Sequence, residues 1–234
     1  MGRPSERPTG ASRQNASVLS DESFGVHALA LAERDPALGA VVAVHGVPPF
    51  WHRPATFATL VLLIVEQQVS LASAKAVFDR MAAAAGGITP ASILGARDGV
   101  LQATGITRQK LRYVQMLAAE VAEGTLDLAG LVDLPDAEAR ARLLALTGVG
   151  PWTADCYLLS ALRRPDVWPV GDRALQVGVG EVLESATVPT GVELEVIGER
   201  WRPFRAVAAR LVWHSYLCRR GREETVIAGL DGPV

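Results

Sequence analysis

Apolar residues in this chain recur at the three- and four-residue spacing of helices, and few segments alternate as strands do. Ser20 can cap a first helix that ends near Arg34, and Asp35-Pro36 opens a second one that stops before Gly46. Start and stop signals continue at helical spacing along the rest of the chain. The sequence therefore predicts an all-α fold.

The longest apolar segment runs from Thr56 to Gln68 and is largely uncharged, which is typical of a helix at the centre of a core. The last helix carries an apolar stripe with Trp213 on the opposite face, so it should touch two layers or make a second core contact. The remaining predicted helices run from Ser70 to Gly86-Gly87, from Thr89-Pro90, between Asp98 and Gly105, from Thr107 to Gly124, from Pro135-Asp136 to Leu146, from Thr190 to Trp201, and from Pro203 to Gly221.

Composition narrows the classes of protein without choosing one. The 234 residues are 49% hydrophobic, enough for a packed core, and the formal charge of -2 is not that of a strongly basic nucleic-acid binder. Lys75 and Lys110 are the only lysines among 23 basic residues, a bias that suits phosphate binding but that a GC-rich genome also produces. Residues 1–19 are polar and rich in Arg, Ser, Pro and Gly, so we predict a disordered tail.

The sequence also predicts a reduced compartment and no catalytic metal. Cys156 and Cys218 cannot form a four-cysteine cluster, and the four histidines lack metal-ligand spacing. No segment approaches a membrane span, and the polar N-terminus lacks a signal-peptide core. We therefore expect a cytoplasmic monomer with no membrane contact.

Residues 143–154 read as a helix, a tight glycine turn and a second helix that Pro151 opens; their sequence is LLALTGVGPWTA. The free amides of such a turn and of the following helix can bind one phosphate without a basic side chain. The expected DNA contacts in this segment are Thr147, Gly148, Val149, Gly150 and Thr153. Such a hairpin would hold the DNA backbone and not a base sequence, although a glycine turn alone is also a common structural connection.

The loop that follows ends at Asp172, where the next helix begins. The hairpin and this aspartate together resemble the helix-hairpin-helix DNA glycosylase superfamily, and most closely its 3-methyladenine DNA glycosylase II group. The likeness runs from about Phe50 to Tyr216 through three blocks, which are QQVS at 67–70, GVGPWTA at 148–154 and WRPFR at 201–205.

The resemblance implies that Asp172 is the catalytic carboxylate, which stabilises positive charge on the deoxyribose or orients the attacking water. An aspartate that merely caps the helix is the alternative. The same resemblance places Trp152 and Trp213 in the base pocket, where they can stack on a cationic alkylated purine. Cys156 stands where a relative has a second pocket tyrosine, and we include its neighbour Tyr157 in the pocket.

Relatives fill the gap left by the flipped base from the end of the central helix, and we favour Gln68 over Gln67 for this wedge. A structural role in the turn is open for either glutamine. Arg173 is a candidate phosphate contact, together with Arg53, Arg108 and Arg205, although each could be a solvated surface residue. The resemblance further allows a structural Na⁺ or K⁺ on the backbone carbonyls of Leu144, Leu146 and Val149.

The resemblance thus predicts a two-lobed glycosylase fold with the active site in the cleft between the lobes. One lobe comprises residues 20–54 and 166–221, the other comprises residues 55–165 and carries the hairpin, and residues 222–234 form a C-terminal tail. Its implied function is a monofunctional DNA glycosylase that excises alkylated bases from double-stranded DNA and requires no cofactor.

Two other functions compete with this one. A bifunctional glycosylase/lyase for oxidised bases needs an amine nucleophile. Trp152 occupies the position at which such relatives carry lysine, and Lys110 is expected to be solvated. A non-catalytic helix-hairpin-helix DNA-binding protein would keep the hairpin but would not need Asp172.

Overall fold

The structure is a computed structural model that describes residues 18–97 and 99–222. Over these residues it contains eleven α-helices and no strand, so the all-α prediction is confirmed. The helices are α1 (Asp21–Arg34), α2 (Pro36–His45), α3 (Phe57–Glu66), α4 (Leu71–Ala85), α5 (Pro90–Gly95), α6 (Arg108–Ala122), α7 (Asp136–Leu144), α8 (Pro151–Ser160), α9 (Arg173–Val182), α10 (Gly191–Gly198) and α11 (Arg205–Cys218).

Polar side chains begin most of these helices as the sequence indicates. The hydroxyl of Ser20 accepts a hydrogen bond from the amide of Ser23 at the start of α1, and Thr190 forms a reciprocal capping box with Glu193 at the start of α10. These bonds satisfy amides that have no partner within the helix. The local sequence thus determines where most of the helices begin.

Three predicted boundaries differ from the structure. The central helix α3 ends at Glu66, because Gln67 has a non-helical ψ of 123°, and Gln68 follows with a positive φ of 59°. The segment before Gly105 forms only the short 3₁₀ turn Gln102–Thr104. The last helix begins at Arg205 and not at Pro203.

The predicted N-terminal tail is wrong at its last residue. Leu19 is buried in the core, and its backbone amide donates a hydrogen bond to the carbonyl of Arg163 at 2.9 Å. Its apolar side chain therefore anchors the chain two residues before the start of α1. Residues 1–17 of that tail, and residues 223–234 of the predicted C-terminal tail, lie outside the described residues.

The helices pack in two groups. In one group α11 packs against α1, α2 and α9, and in the other α3 packs against α4, α6 and α8, while α5 packs on α6 and α7 on α8. This grouping agrees with the two predicted lobes. The division into one lobe of residues 20–54 and 166–221 and another of residues 55–165 stays an interpretation. Among the described residues, no helix has the length and apolar character required to cross a membrane.

A buried arginine connects the two groups. The guanidinium of Arg210, on α11, donates to the carbonyls of Trp51 and Leu159 and lies 4.8 Å from the ring centre of Phe50. Burial lowers the pKa of Arg210 to about 9, and none of the described acidic residues forms a salt bridge with it. Backbone carbonyls and an aromatic face therefore compensate its charge.

Helices α9 and α11 approach closely at Gly178. A Cβ atom on Gly178 would lie 2.7 Å from Cγ1 of Val212 and 3.3 Å from its carbonyl oxygen. Such distances are shorter than normal van der Waals contact, so α9 or α11 would have to move. This contact matters for the site because α9 follows directly on Asp172 and α11 carries Trp213.

We predict that Gly178→Ala lowers the free energy of unfolding by about 1–3 kcal/mol, the usual cost of overpacking a core. Gly25→Ala is the matched control, because Gly25 lies in α1 with no atom within 4 Å of an added Cβ. That substitution should be neutral or stabilise by up to about 1 kcal/mol. Urea unfolding of both variants measures the difference, and equal effects would contradict the close packing of α9 on α11.

Candidate active site

A cavity of about 620 Å³ lies between the two groups of helices. Its walls come from the α2–α3 loop, the end of α3, the start of α4, α8, the start of α9 and α11. The lining residues used below are Trp51, Arg53, Glu66, Trp152, Cys156, Asp172, Arg210, Trp213 and Tyr216. A concave, mainly apolar cavity with a few converging polar groups is the usual form of a binding or catalytic site.

Asp172 lies at the centre of this site as the N-cap of α9. One carboxylate oxygen, Oδ1, accepts hydrogen bonds from the amide of Leu175 at 2.7 Å and from the indole Nε1 of Trp213 at 3.0 Å. The other, Oδ2, accepts from the indole Nε1 of Trp152 at 2.7 Å. All three partners are donors, and an ionised carboxylate has only acceptors to offer them. The carboxylate is therefore fixed on a helix N-terminus beside the cavity.

The structure brings together three predicted site residues from distant parts of the chain. Trp152 lies in the first turn of α8 and Trp213 in the middle of α11, and both indoles are half-buried against the cavity. Nothing in the sequence indicated that each indole would donate to a different oxygen of the same carboxylate. That arrangement orients both aromatic rings as well as Asp172.

The placement of Tyr157 in the pocket is wrong. Its side chain is fully buried in the core, and burial raises its pKa well above the usual value. Cys156 lines the cavity in its place, because one residue along a helix turns the side chain by about 100°. Burial raises the pKa of the Cys156 thiol well above its usual range, and the nearby carboxylates of Asp172 and Glu66 add to the effect.

The sequence reading missed an ion pair in the cavity wall. The guanidinium of Arg53 donates to both carboxylate oxygens of Glu66, at 2.9 and 2.7 Å. Burial is the largest single influence and works to lower the pKa of Arg53, but the charge and hydrogen bonds of Glu66, together with the nearby Cys156, outweigh it and the pKa is raised. Glu66 was detectable in principle as the one charged residue within the apolar helix α3. Arg53 was expected at a phosphate, and this buried pairing contradicts that role.

The predicted hairpin connects α7 to α8, and its two glycines differ. Gly148 adopts a φ of 88°, and a Cβ there would overlap the ring of Tyr113. Gly150 has an extended φ of -90° with open space around it, so it does not need positive φ. Thr147 and Gly150 are exposed, whereas Val149 is buried with its amide donating to the carbonyl of Leu146. The amide of Val149 therefore already has a partner within the turn and is not available to bind a phosphate.

Gln67 has the structural role that was left open. Its side-chain amide donates to the carbonyl of Gly148 at 2.9 Å and to the hydroxyl of Thr153 at 3.0 Å. Thr153 is buried, so its side chain faces Gln67 and not the surface where it was expected to contact DNA. Gln68, in contrast, is exposed and directly precedes Val69, which lines the cavity, so its wedge role stays a prediction.

Lys110 is not the solvated residue that the sequence suggested. Its ammonium donates to the carbonyls of Val65 and Gln67 at the end of α3, at 2.8 and 2.6 Å. Burial lowers the pKa of Lys110. Its charge stabilises the exposed carbonyls of the last turn of α3 and so holds the segment that carries Gln67 and Gln68.

The arginines proposed as phosphate contacts differ in whether an acidic side chain already binds them. Arg173 and Arg108 are exposed at the starts of α9 and α6, and Arg173 contacts the side chain of Gln176 at 3.2 Å. Arg205 binds Asp166 and Glu199 within its own lobe, so a phosphate role for it is not supported. Arg173 stays a predicted DNA contact.

No set of three or more His, Cys, Asp or Glu side chains could hold a metal within the described part of the chain. The carbonyls of Leu144, Leu146 and Val149 are oxygen ligands of the kind that Na⁺ and K⁺ accept. The carbonyl of Leu146 already accepts the amide of Val149 at 3.2 Å and has one lone pair left. This turn therefore fits a monovalent cation in part, and the site stays a prediction.

Comparison with known proteins places this geometry in a wider group. Residues 61–203 match the protein family described as "HhH-GPD superfamily base excision DNA repair protein". The YfjP protein of Bacillus subtilis is 25% identical over 187 residues, which are 76% of this chain and 65% of that protein. The DNA-3-methyladenine glycosylase 1 of Schizosaccharomyces pombe is 25% identical over 161 residues, 67% of this chain and 71% of that protein.

A solved structure shares the fold over almost its full length. The DNA-3-methyladenine glycosidase of Bacillus halodurans is 27% identical, with a TM-score of 0.69 over 91% of this chain and 99% of that one. The predicted glycosylase fold is thereby confirmed. This chain spans less than two thirds of the length of YfjP, the first of the sequence relatives given above.

We predict that Gln67→Leu lowers the free energy of unfolding by about 1–3 kcal/mol, because the Gly148 carbonyl and the Thr153 hydroxyl lose their common donor. Gln68→Leu is the matched control at the next, exposed position and should change stability by less than about 0.5 kcal/mol. Chemical denaturation of the two variants compares them directly. A larger loss from Gln68→Leu would show that the roles of the two glutamines are reversed.

Proposed function

Because the chain belongs to the HhH-GPD superfamily of base excision DNA repair proteins, we propose that it is a monofunctional glycosylase that removes alkylated bases of the 3-methyladenine type from duplex DNA. The names of relatives from Schizosaccharomyces pombe and Bacillus halodurans support this substrate class. The observation that carries the proposal is the Asp172 carboxylate, which two indoles hold at the wall of a cavity large enough for a base.

The base must first leave the stack, because the glycosidic bond cannot be reached inside a duplex. In our proposal the exposed hairpin amides, including those of Thr147 and Gly150, bind one phosphate of the DNA backbone. Arg173 contacts a second phosphate, and Gln68 enters the space that the base vacates. All of these groups belong to one chain, so a monomer can bind the DNA in this way.

Hydrolysis then requires stabilisation of positive charge. As the bond between C1′ and the base nitrogen breaks, its electron pair leaves with the base and positive charge develops on the deoxyribose. The Asp172 carboxylate stabilises this charge and accepts a proton from the water that attacks C1′. The products are the free base and an intact strand with an abasic site, and no bound cofactor takes part.

Alkylation makes the base both a better leaving group and a better ligand. A cationic purine stacked on the electron-rich face of an indole gains cation–π stabilisation, and Trp152 and Trp213 both line the cavity. Neutral purines do not gain this cation–π stabilisation. The two indoles would therefore add selectivity for damaged bases.

A lyase mechanism is less well supported. It needs an amine that attacks C1′ to form a Schiff base. Lys75 pairs with Asp79, Lys110 is bound to carbonyls at the end of α3, and neither lines the cavity. A non-catalytic helix-hairpin-helix DNA-binding protein, the second alternative, would have no use for a carboxylate fixed by two indoles.

We predict that Asp172→Asn lowers the single-turnover rate of 7-methylguanine release by about 10² to 10³-fold or more while duplex binding stays close to wild type. Asp35→Asn is the matched control. Asp35 also caps a helix and accepts an indole hydrogen bond, from Trp201 at 2.8 Å, but does not line the cavity. It should lose stability and retain excision. An Asp172→Asn rate within tenfold of wild type would refute the catalytic role.

The product distinguishes hydrolysis from lyase chemistry. With water as the nucleophile, a duplex that contains one alkylated base should break only after hot alkali, and borohydride should trap no protein–DNA adduct. Lys110→Arg keeps the charge at the end of α3 and removes the primary amine, so its excision rate should be close to wild type. A trapped adduct in the wild type that disappears in Lys110→Arg would identify a lyase instead.

A further inference from the structure

The Arg53–Glu66 ion pair faces the same cavity as Asp172 and has no role in the mechanism above. Arg53 lies in the α2–α3 loop, where its amide donates to the carbonyl of Ser160, and Glu66 is the last residue of α3. The side chains are only 15% and 6% exposed. The thiol of Cys156 is close enough to Asp172 and to the pair for both to act on its pKa.

Stability alone does not account for this pair. Removing two charges from water costs several kcal/mol for each ion, and well-packed apolar residues are often as stable in the same place. The surrounding wall would accept such residues, since the neighbours of Glu66 along α3 are buried apolar side chains. A buried ion pair in a ligand cavity therefore points to recognition of a ligand.

The geometry of the pair leaves one hydrogen-bond donor and one acceptor next to each other. The two terminal nitrogens of Arg53 each donate one hydrogen to one oxygen of Glu66, so the two groups meet end to end. Each terminal nitrogen keeps a second N–H, and each oxygen keeps a free lone pair. A donor and an acceptor thus stand side by side, 2.7 to 2.9 Å apart, on the flank of the pair.

We propose that the Arg53–Glu66 pair reads the N1 and C6 edge of the extruded purine. This inference rests on the proposed glycosylase function and names how the same pocket selects its base. Guanine and hypoxanthine offer O6 to Arg53 and N1–H to Glu66, and adenine offers N1 to Arg53 and its amino group to Glu66. Purines methylated at N3 or N7 keep this edge free and are accepted.

A lesion that blocks this edge is rejected. In 1,N⁶-ethenoadenine both edge nitrogens belong to an added ring, so the base has no hydrogen to donate to Glu66. Burying the pair against this base would leave the free lone pair of Glu66 without a hydrogen to accept, and sites built to hydrogen-bond a substrate discriminate strongly on this basis. Hypoxanthine is the matched comparison, because it is also uncharged and its edge is intact.

The test measures single-turnover release of hypoxanthine and of 1,N⁶-ethenoadenine from otherwise identical duplexes, with 7-methylguanine as a positive control. The wild type should release hypoxanthine at least about tenfold faster than ethenoadenine. The double variant Arg53→Met with Glu66→Leu, an apolar replacement of the pair, should bring the two rates within about threefold while it still releases 7-methylguanine. Glu66→Gln should reduce the ratio as well, because its amide can present a donor where the carboxylate accepts.

A thermal melt of each variant confirms folding, and Glu66→Gln alone decides the question if the double variant is unfolded. The proposal is overturned if the ratio in the folded variants equals that of the wild type, or if the wild type releases ethenoadenine as fast as hypoxanthine. Absence of hypoxanthine release by a wild type that is active on 7-methylguanine also overturns it. If the wild type releases neither 7-methylguanine nor hypoxanthine, the glycosylase function itself has failed.

Discussion

The site depends on one carboxylate that satisfies three donors from three helices. Asp172 accepts the amide of Leu175 in α9, the indole of Trp152 in α8 and the indole of Trp213 in α11. A buried indole N–H without an acceptor is unfavourable, so each tryptophan restrains the carboxylate as much as the carboxylate orients each ring. The same bonds therefore define the aromatic walls and the reactive group.

Other polar contacts align the elements around this centre. Arg210 binds carbonyls on both sides of the cavity, and Gln67 joins the end of α3 to the hairpin through Gly148. Lys110 holds the same end of α3 from a third direction. The hairpin, the Gln67-Gln68 segment and the cavity wall are thus coupled by side-chain to backbone hydrogen bonds, which are directional and so restrain relative positions.

The polar character of the cavity has two sources. The indoles suit a cation, whereas the Arg53–Glu66 pair suits a base with a free hydrogen-bonding edge. A pocket that combined both terms would bind a cationic purine with a free edge most tightly, and discrimination against normal purines, which keep a free edge, would come from the charge term. Cys156, which is smaller than the tyrosine that the resemblance places here in a relative, lines the cavity beside Asp172 and would leave room for such a base.

The sequence by itself determined the all-α fold and most helix boundaries, because caps and glycine turns are local properties of the chain, and the family resemblance pointed to Asp172, Trp152 and Trp213, which line the cavity. Tertiary structure decided the rest. Tyr157 and Thr153 point into the core, Lys110 is bound to carbonyls, and Arg53 pairs with Glu66. The direction in which a helical side chain faces, and the partner a charge finds, depend on elements far away in sequence that only packing brings together.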